Sequence, residues 1–577
     1  RGEAPGVWIG SGLVGIDGLT EGDPVTAEQM EYLFGKGEHP LAEQRLAALG
    51  PEATLEERRD AVRLGRPFRR PDTSAQPFRT QFLRRYGNWN QQHGKPRSTR
   101  LPDDVRSKLL TDVAIDWFTS TEHRAPNQRE LAGLIVRMTR PHATPVAGYD
   151  LTFSPVKSVS ALWALVDRRV ASIIEAAHHA AVRDALRYIE RQVLMTRKGH
   201  AGVEQIEVTG LLAAAFTHRD NRAGDPDLHQ WRAIDGRVLH KAITAASERY
   251  NAALESHLTT ALGLRFADTA RMDGRRPVRE LVGVEPRLIS LWSTRRTAIS
   301  RRAAELAAEF QNRYGRPPTP AERQEQAQQA TLETREAKHE PRSRNEQRAL
   351  WYEQAVALLG RNGVASLLRI ALGQAPLPAP TLDANLFRQL AAKVIATVEE
   401  HQAEWQIWHV EAEALRATRG LGIPPHQLGG VVDNVVQTTL ATCVSLDPPD
   451  DGISEPDALR RADGTSVYRV VGSTRYTSHR ILFAEQRIVD AAGRSGGRKA
   501  DPNSVDAAIL AETTNGTELN PGQTQLVREL ALSGNRVRLA LAAAGTGKTT
   551  AMRALATAWT YSGGNVVALA PSATAAA

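Results

Sequence analysis

Apolar residues recur at helical spacing at Val159, Leu162, Trp163 and Val166, and again at Val182, Leu186, Ile189 and Val193. Steps of three and four residues put each set on one stripe, so two buried helices are expected. A shorter alternation precedes them, with Tyr149, Leu151 and Phe153 on one side and Asp150 and Thr152 on the other. That pattern predicts a half-buried strand ending at Ser154-Pro155. Two more strands are expected around Val203 to Val208 and Leu211 to Phe216. Past about residue 285 the helical period takes over. One helix is expected to stop at Tyr314, ahead of Gly315, Pro317 and Pro318, and the next to open at Thr319, with Pro320 in its first position and Glu322 closing a capping box. Near the end, the apolar run Val537 to Leu541 leads through a glycine-containing loop into a helical Ala551 to Trp559, with a second strand-like run at Val566 to Ala570.

The expected fold is therefore α+β: an antiparallel sheet with flanking helices, then a helical middle region, then the start of an α/β unit. A length of 577 residues predicts about three domains. Clusters of proline and glycine at Pro376 to Pro380, Asp447 to Gly452 and Gly493 to Lys499 mark the expected joints. The domains are accordingly expected at residues 1–285, 286–465 and 466–577. No run of about 18 uncharged apolar residues occurs, so no membrane insertion is expected. The start, Arg1-Gly2-Glu3-Ala4-Pro5, has neither an initiator Met nor the form of a signal peptide, and reads as a point inside a longer soluble chain.

Charge and cysteine usage narrow the partners. Cys443 is the only cysteine, which excludes an internal disulfide and suits a reducing cytoplasm, and any metal must be held by His and carboxylates. The net charge is +8, and it is concentrated: between Arg58 and Arg100 twelve basic residues face only Asp60 and Asp72. Such a stretch is the electrostatic footprint of a polyanion. Aromatic residues interleave it at Phe68, Phe78, Phe82, Tyr86 and Trp89. Bases of a single strand stack on such rings while Arg69, Arg70, Arg79, Arg84 and Arg85 neutralise phosphates, with Trp89 as a stacking platform. The same spacing equally suits an amphipathic helix that packs Phe78, Phe82, Tyr86 and Trp89 against its neighbours.

Two imidazoles stand in the segment His218-x-x-x-Arg222-x-x-Asp225-Pro226-x-Leu228-His229. Neutral ring nitrogens at the end of one strand and just after a Pro turn can converge on one divalent metal, although a pair of surface or core histidines fits the spacing too. Arg222 offers a planar fork to a phosphate, or else pairs with Asp220 or Asp225.

Together with the upstream Asp150-Leu151-Thr152-Phe153-Ser154-Pro155-Val156-Lys157-Ser158-Val159-Ser160, this segment resembles the signature of MobF-type conjugative relaxases, members of the HUH endonuclease superfamily. Gly6-Val7-Trp8-Ile9-Gly10 and Thr331 to Pro341 resemble the same family. The resemblance implies a protein of a bacterial donor cytoplasm in which a tyrosine attacks one phosphodiester of single-stranded plasmid DNA at the origin of transfer. It further implies His218 and His229 as ligands of Mg²⁺ or Mn²⁺, Asp150 as the carboxylate that orients a ligand imidazole, and Lys157 as a DNA contact. A coupling protein and type IV secretion machinery are the implied partners. Two departures stand out. The family pattern calls for His-x-His, and Trp231 occupies the third ligand position, with His240 as a possible substitute. The family's nucleophile lies upstream of the segment that Arg1 begins here, while Tyr32 reads as helix packing and Tyr86 as part of the basic patch.

The second constellation is Ala542-Ala543-Ala544-Gly545-Thr546-Gly547-Lys548-Thr549. Its spacing is that of a phosphate loop, with Ala542 in place of the first glycine. Backbone amides around Gly545, Thr546 and Gly547 would cradle phosphates, Lys548 would reach the β and γ phosphates, and Thr549 would ligate Mg²⁺ beside ATP. Leu519-Asn520-Pro521-Gly522-Gln523 resembles the Q motif of superfamily 1 helicases, which implies that Gln523 reads adenine. The acidic pair and arginine motifs of ATP hydrolysis do not follow before Ala577, so an active motor is not expected from these residues alone. The expected function is a relaxase fused to a helicase, with a superfamily 1 ATPase carrying a DNA-docking N-terminal region and a DNA-binding module without catalysis as its alternatives.

Overall fold

The structure is a computed structural model that describes residues 5–64, 76–94, 101–139, 148–208, 210–221, 225–231, 237–270, 276–335, 342–375, 377–448, 455–541, 546–567 and 569. The chain clusters into two compact units. Arg1–Pro380, Arg419–Leu428 and Glu455–Val471 make up the first, and Thr381–Thr418, Gly429–Ser454 and Gly472–Ala577 the second.

In the first unit, strands β1 (Val7–Ile9), β2 (Met195–Lys198), β3 (Glu204–Glu207), β4 (Ala213–Asp220), β5 (Pro226–Trp231), β6 (Phe266–Thr269) and β7 (Val278–Leu281) form small antiparallel sheets. The largest has the order β1-β4-β5, and β2–β3 and β6–β7 form separate two-stranded sheets. Trp8 lies opposite Ala214, and both belong to an apolar cluster with Leu13, Ile16 and Leu19. Gly10, just past β1, has φ of 105°, and a Cβ there would sit 2.1 Å from the Leu211 carbonyl oxygen. Only glycine combines that dihedral with so close an approach.

Helices α1 (Gln76–Gln92), α2 (Asp103–Glu122) and α3 (Gln128–Thr139) pack around Phe78, Val113, Ala114, Leu134 and Met138. Helix α4 (Lys157–Leu165) is buried on all sides from Ser158 to Leu165, and α5 (Arg168–Gln192) packs against α6 (Arg237–Leu262). Ala171, Ile174, Ala177, Ala181, Val182, Ala185 and Ile189 form the buried stripe of α5, whose alanines admit close approach. Burying each isoleucine contributes about 1.5–3 kcal/mol. The expected helices over 159–166 and 182–193 are thus present, and Asp167 caps α5 by accepting from Val170 N.

Further along, α7 (Thr294–Tyr314) ends at left-handed Gly315, and α8 (Pro320–Glu333) opens with Thr319 accepting from Glu322 N while the Glu322 carboxylate accepts from Thr319 N at 2.8 Å. Helix α9 (Arg344–Leu372) breaks its helical dihedrals at Gly360. It is long and apolar enough by composition to cross a membrane, but Trp351, Ala355, Val364 and Leu367 are buried within the fold. Its Trp351 ring meets Trp163 of α4 at 5.6 Å.

The two later returns of the chain are both anchored in this unit. Glu255 of α6 accepts from Arg279 of β7 and from Arg419. In the 455–471 segment the buried Arg461 donates to the Gln205 carbonyl at 3.1 Å, Gln205 N donates to Val467 O, and Val471 N donates to Gln205 Oε1. That segment covers the β2–β3 hairpin.

The second unit holds α10 (Ala384–Glu399), α11 (Ile407–Thr418), the hairpin of β8 (Cys443–Ser445) with β9 (Tyr476–Ser478), α12 (His479–Ala492), α13 (Pro502–Thr514), α14 (Pro521–Leu532) and α15 (Lys548–Tyr561). Val505, Ala508, Val527, Ala531, Ala551, Ala554 and Ala558 make the core shared by α13, α14 and α15.

Three strand expectations need correction. Residues 149–153 are extended, with Leu151 and Phe153 buried and Asp150 and Thr152 exposed, yet they lie outside the named strands. Val537–Leu541 and Val566–Val567 are not strands either: Leu539 is 79% and Val567 79% exposed. Strands of a parallel sheet are stable when covered on both faces, and these runs lack that cover among the described residues.

Candidate functional site

Strands β4 and β5 form the hairpin that carries both candidate histidines. Its register puts Phe216 opposite Trp231, Thr217 opposite Gln230 and His218 opposite His229, with a shift between His218 and Asp220. Directly opposed residues of an antiparallel pair share one face with their Cβ atoms about 4.5–5.5 Å apart. Residues 218 and 229 therefore meet on the face that also carries positions 216 and 231. The eleven-residue spacing in the sequence is the separation of one opposed pair in this hairpin. Two imidazole positions so placed fit a divalent cation as two of its donors, and the register sets Trp231, an indole without a metal-ligating lone pair, opposite Phe216. Among the described residues no group of three His, Cys, Asp or Glu is placed to hold a metal ion.

Three elements hold the turn of this hairpin. Helix α4 sends Lys157 Nζ to the Pro226 carbonyl at 2.7 Å. From α9, Gln347 Nε2 donates to Asp220 Oδ2 at 2.7 Å. The first residue of α7, Thr294, donates its N–H (3.1 Å) and its hydroxyl (3.0 Å) to the buried carboxylate of Asp225, which also accepts from Asn221 Nδ2 at 3.0 Å. The Asn221 side-chain oxygen in turn accepts from Asp225 N. Lys157, which the resemblance implies as a DNA contact, donates here to the start of β5. The bonds of Asp220, Asp225, Thr294 and Gln347 have no signal in the sequence pattern. Asp225 stands inside the quoted motif, but its partner is 69 residues away.

Asp150 is exposed, and it precedes the buried Leu151. Arg222, Arg69, Arg70 and Gly545 lie outside the described residues, and of His240 only the helical backbone is described. In α1 the aromatic residues differ in their surroundings. Phe78 is buried in the three-helix core, where it meets Trp117 edge-on at 6.2 Å, and Phe82 packs beside it, so these two rings serve packing. Trp89 stacks on His93 with centroids 3.7 Å apart. Arg79 donates to the Met138 carbonyl and Arg85 pairs with Asp116, while Arg84 is exposed. Arg84 is thus the cation of α1 directed to solvent among the three named there.

At the other end of the chain, Gly547 caps α15 with φ of 76°, followed by the exposed Lys548 and Thr549 at the helix start. A helix N-terminus carries unpaired N–H groups and the positive end of the dipole, both suited to phosphate. Asn520 and Gln523 form a capping box at the start of α14. The Gln523 amide oxygen accepts from Asn520 N at 2.9 Å, while its Nε2 donates to the Thr546 and Gly547 carbonyls at 3.0 and 3.4 Å. Gln523 therefore braces the loop, and contact with an adenine edge requires the amide to give up these bonds. Behind them, Arg553 of α15 lies 2.5 Å from Glu512 of α13, and this hydrogen-bonded guanidinium lowers the Glu512 pKa.

The family model of the TrwC relaxase matches residues 1–358, and that of an AAA domain matches residues 518–577. No curated protein matches the chain. Among solved structures, a metal-free complex of the conjugative relaxase TrwC with OriT DNA is 22% identical, covering 61% of this chain and 91% of that one at a TM-score of 0.34. A metal-bound TrwC complex with OriT DNA is 29% identical over 37% of this chain and 71% of that one, with a TM-score of 0.29. TrwC complexed with a 27-mer comprising the recognition hairpin and the cleavage site is 24% identical over 43% of this chain and 94% of that one, again at 0.29. Because the relaxase match takes in well over half of its residues, the chain belongs to the TrwC relaxase family.

Proposed function

We propose that this chain is a relaxase–helicase of plasmid conjugation, which cuts single-stranded DNA at an origin of transfer and couples the cut to ATP-dependent unwinding. The observation that carries the reading is the opposed register of His218 and His229 inside the part matched by the TrwC relaxase family. In this reading His218 and His229 hold Mg²⁺ or Mn²⁺, Asp150 orients an imidazole, and Arg222 takes a phosphate oxygen in a bidentate grip. The bound cation supplies Lewis-acid polarisation of the scissile phosphate. The hairpin itself contributes rigidity: bonds from three helices hold it at Asp220, Asp225 and Pro226. Arg69, Arg70, Arg84 and Trp89 supply the phosphate and stacking contacts of the approaching strand.

The AAA match supports nucleotide binding at residues 518–577. Here Lys548 and Thr549 take the phosphates and Mg²⁺ of ATP at the start of α15, within the opening part of a RecA-like domain, and Gln523 holds the loop. Residues 1–285 form the nicking region, 286–465 a mainly helical connection and 466–577 the ATPase portion. The protein acts in the bacterial donor cytoplasm and hands the cut strand to a coupling protein and type IV secretion machinery.

The test incubates the protein, in the full-length form that includes the family's nucleophile, with a labelled origin oligonucleotide and Mn²⁺, and resolves the products after denaturation. A protein-linked product that disappears in His218→Ala and in His229→Ala is expected. An adduct that persists in both variants overturns the assignment of the hairpin. An ATPase that binds DNA but forms no adduct favours the docking-domain alternative.

A further inference from the structure

The β4–β5 turn is held by a carboxylate that the expected chemistry does not use. Asp225 is buried, at 6% exposure. Both of its oxygens are engaged, Oδ1 by the Thr294 hydroxyl and Oδ2 by Thr294 N and Asn221 Nδ2. Asn221 closes the turn from the other side, since its N–H donates to the Asp225 carbonyl at 3.1 Å and its side-chain oxygen accepts from Asp225 N at 3.2 Å. A carboxylate is well suited here: it faces the positive end of the α7 dipole and satisfies a first-turn N–H that the helix cannot pair itself. The neighbouring residue, Pro226, accepts from Lys157. Asp225 thus fixes the end of β5 three residues before Leu228-His229, and it does so against a helix that begins 69 residues later in the chain.

We propose that Asp225 is a positioning residue for the His218–His229 pair, which it acts upon by tying the start of β5 and Asn221 to the first turn of α7. The proposal rests on the metal-ligand reading of that pair and adds a requirement to it. An opposed pair of ligands is useful to a cation only if the two strands keep their register, and β4 already shifts register between His218 and Asp220. Without these bonds to Asp225, the start of β5 loses its tie to α7 and the register between positions 218 and 229 is expected to loosen. Groups that orient metal ligands from behind typically change metal affinity by about 10–100-fold when removed.

The test measures Mn²⁺ binding to the whole chain by electron paramagnetic resonance, alongside oligonucleotide binding by fluorescence anisotropy and thermal melting. In Asp225→Ala the Mn²⁺ concentration for half-saturation is expected to rise about tenfold or more. Asp225→Asn can set its amide oxygen where Oδ2 accepts from Thr294 N and Asn221 Nδ2 and donate its NH2 to the Thr294 hydroxyl, and is expected to recover most of that loss. Thr294→Val removes one bond from the opposite side, at an exposed helix start, and is expected to weaken Mn²⁺ binding in the same direction; it serves as the readout should Asp225→Ala fail to fold. His218→Ala separates the two levels of the argument. If Mn²⁺ binding is unaffected by His218→Ala, the metal-ligand reading fails. If it depends on His218 but Asp225→Ala and Thr294→Val bind Mn²⁺ as the unaltered chain does, the positioning role is overturned. A melting temperature that falls with unchanged Mn²⁺ affinity also overturns it, because a purely structural carboxylate gives that result.

Discussion

Glu255 of α6 is the junction through which the first return of the chain is tied to the relaxase unit, and its replacement by glutamine has a calculable effect. The carboxylate is 6% exposed and accepts from Arg279 at 2.7 and 3.0 Å and from Arg419 Nε at 3.2 Å, with those guanidinium groups 18% and 11% exposed. Glutamine keeps one oxygen acceptor but turns an amide toward cations that have little access to water. Breaking a buried pair from one side costs about 3–5 kcal/mol. Here the cost is reduced because Arg419 also reaches Glu248 at 3.2 Å and Arg279 also donates to the Phe266 carbonyl at 3.1 Å. A loss of about 2–3 kcal/mol is therefore expected, which at about 1.4 kcal/mol per factor of ten corresponds to a 30- to 150-fold change in a local opening equilibrium. The assay is amide hydrogen exchange: backbone protection at residues 419–428 should fall by that factor in Glu255→Gln. In the cycle with Arg419→Met, the double variant should be less destabilised than the sum of the singles, by about 0.5–3 kcal/mol. Additive effects, or exchange at 419–428 that is unchanged in Glu255→Gln, would refute the view that this carboxylate pins the returning segment.

Other positions give equally direct tests. Gly547→Ala places a Cβ 2.3 Å from Gln523 Nε2 at a φ of 76°, so nucleotide binding by equilibrium titration should be lost, whereas Gln523→Ala, which removes the brace but leaves the glycine, should weaken it about tenfold or less. Trp231→His restores an imidazole at the register position beside His229 and opposite Phe216; Mn²⁺ affinity should rise at least tenfold, and no rise would show that position 231 does not face the cation. His39 is 3% exposed and its Nδ1 accepts from Leu41 N, and burial, together with the nearby Arg45, lowers its pKa. The unfolded chain therefore takes up a proton near pH 6.5 that the folded chain resists, so stability from this group is present above about pH 6.5 and is lost as pH falls below it. Melting temperatures at pH 7, 6 and 5 should show a steeper decline for the unaltered chain than for His39→Gln; parallel curves would remove His39 from the account.

The elements that could be read in the sequence are those whose cause is local. Thr319, Pro320 and Glu322 start a helix by contacts within a few residues, and the structure has that capping box. The spacing of His218 and His229 fits a hairpin because both strands and the turn lie in one stretch. The braces of the hairpin were invisible for the opposite reason. Asp225 with Thr294, Lys157 with Pro226 and Asp220 with Gln347 join residues 69, 69 and 127 positions apart, and no periodicity encodes such a pairing. Ambiguity arose where one pattern serves two purposes. Phe78 and Phe82 recur at a spacing that suits base stacking as well as helix packing, and burial decides for packing. The apolar runs at 537–541 and 566–567 show a further limit, since hydrophobicity predicts that a segment seeks cover without supplying the neighbours that provide it.

The stitching of the chain, which leaves the first unit after Pro380 and re-enters it at Arg419–Leu428 and Glu455–Val471, bears on how the two activities could ever be parted. A protease that cuts once near residue 450 releases no free ATPase fragment, because the downstream piece still carries Arg461 and Val467 lodged against Gln205. Expressing residues 1–380 alone leaves the 204–207 edge stripped of its borrowed cover. A cut after Val471 differs, because from Gly472 onward the chain stays in the second unit.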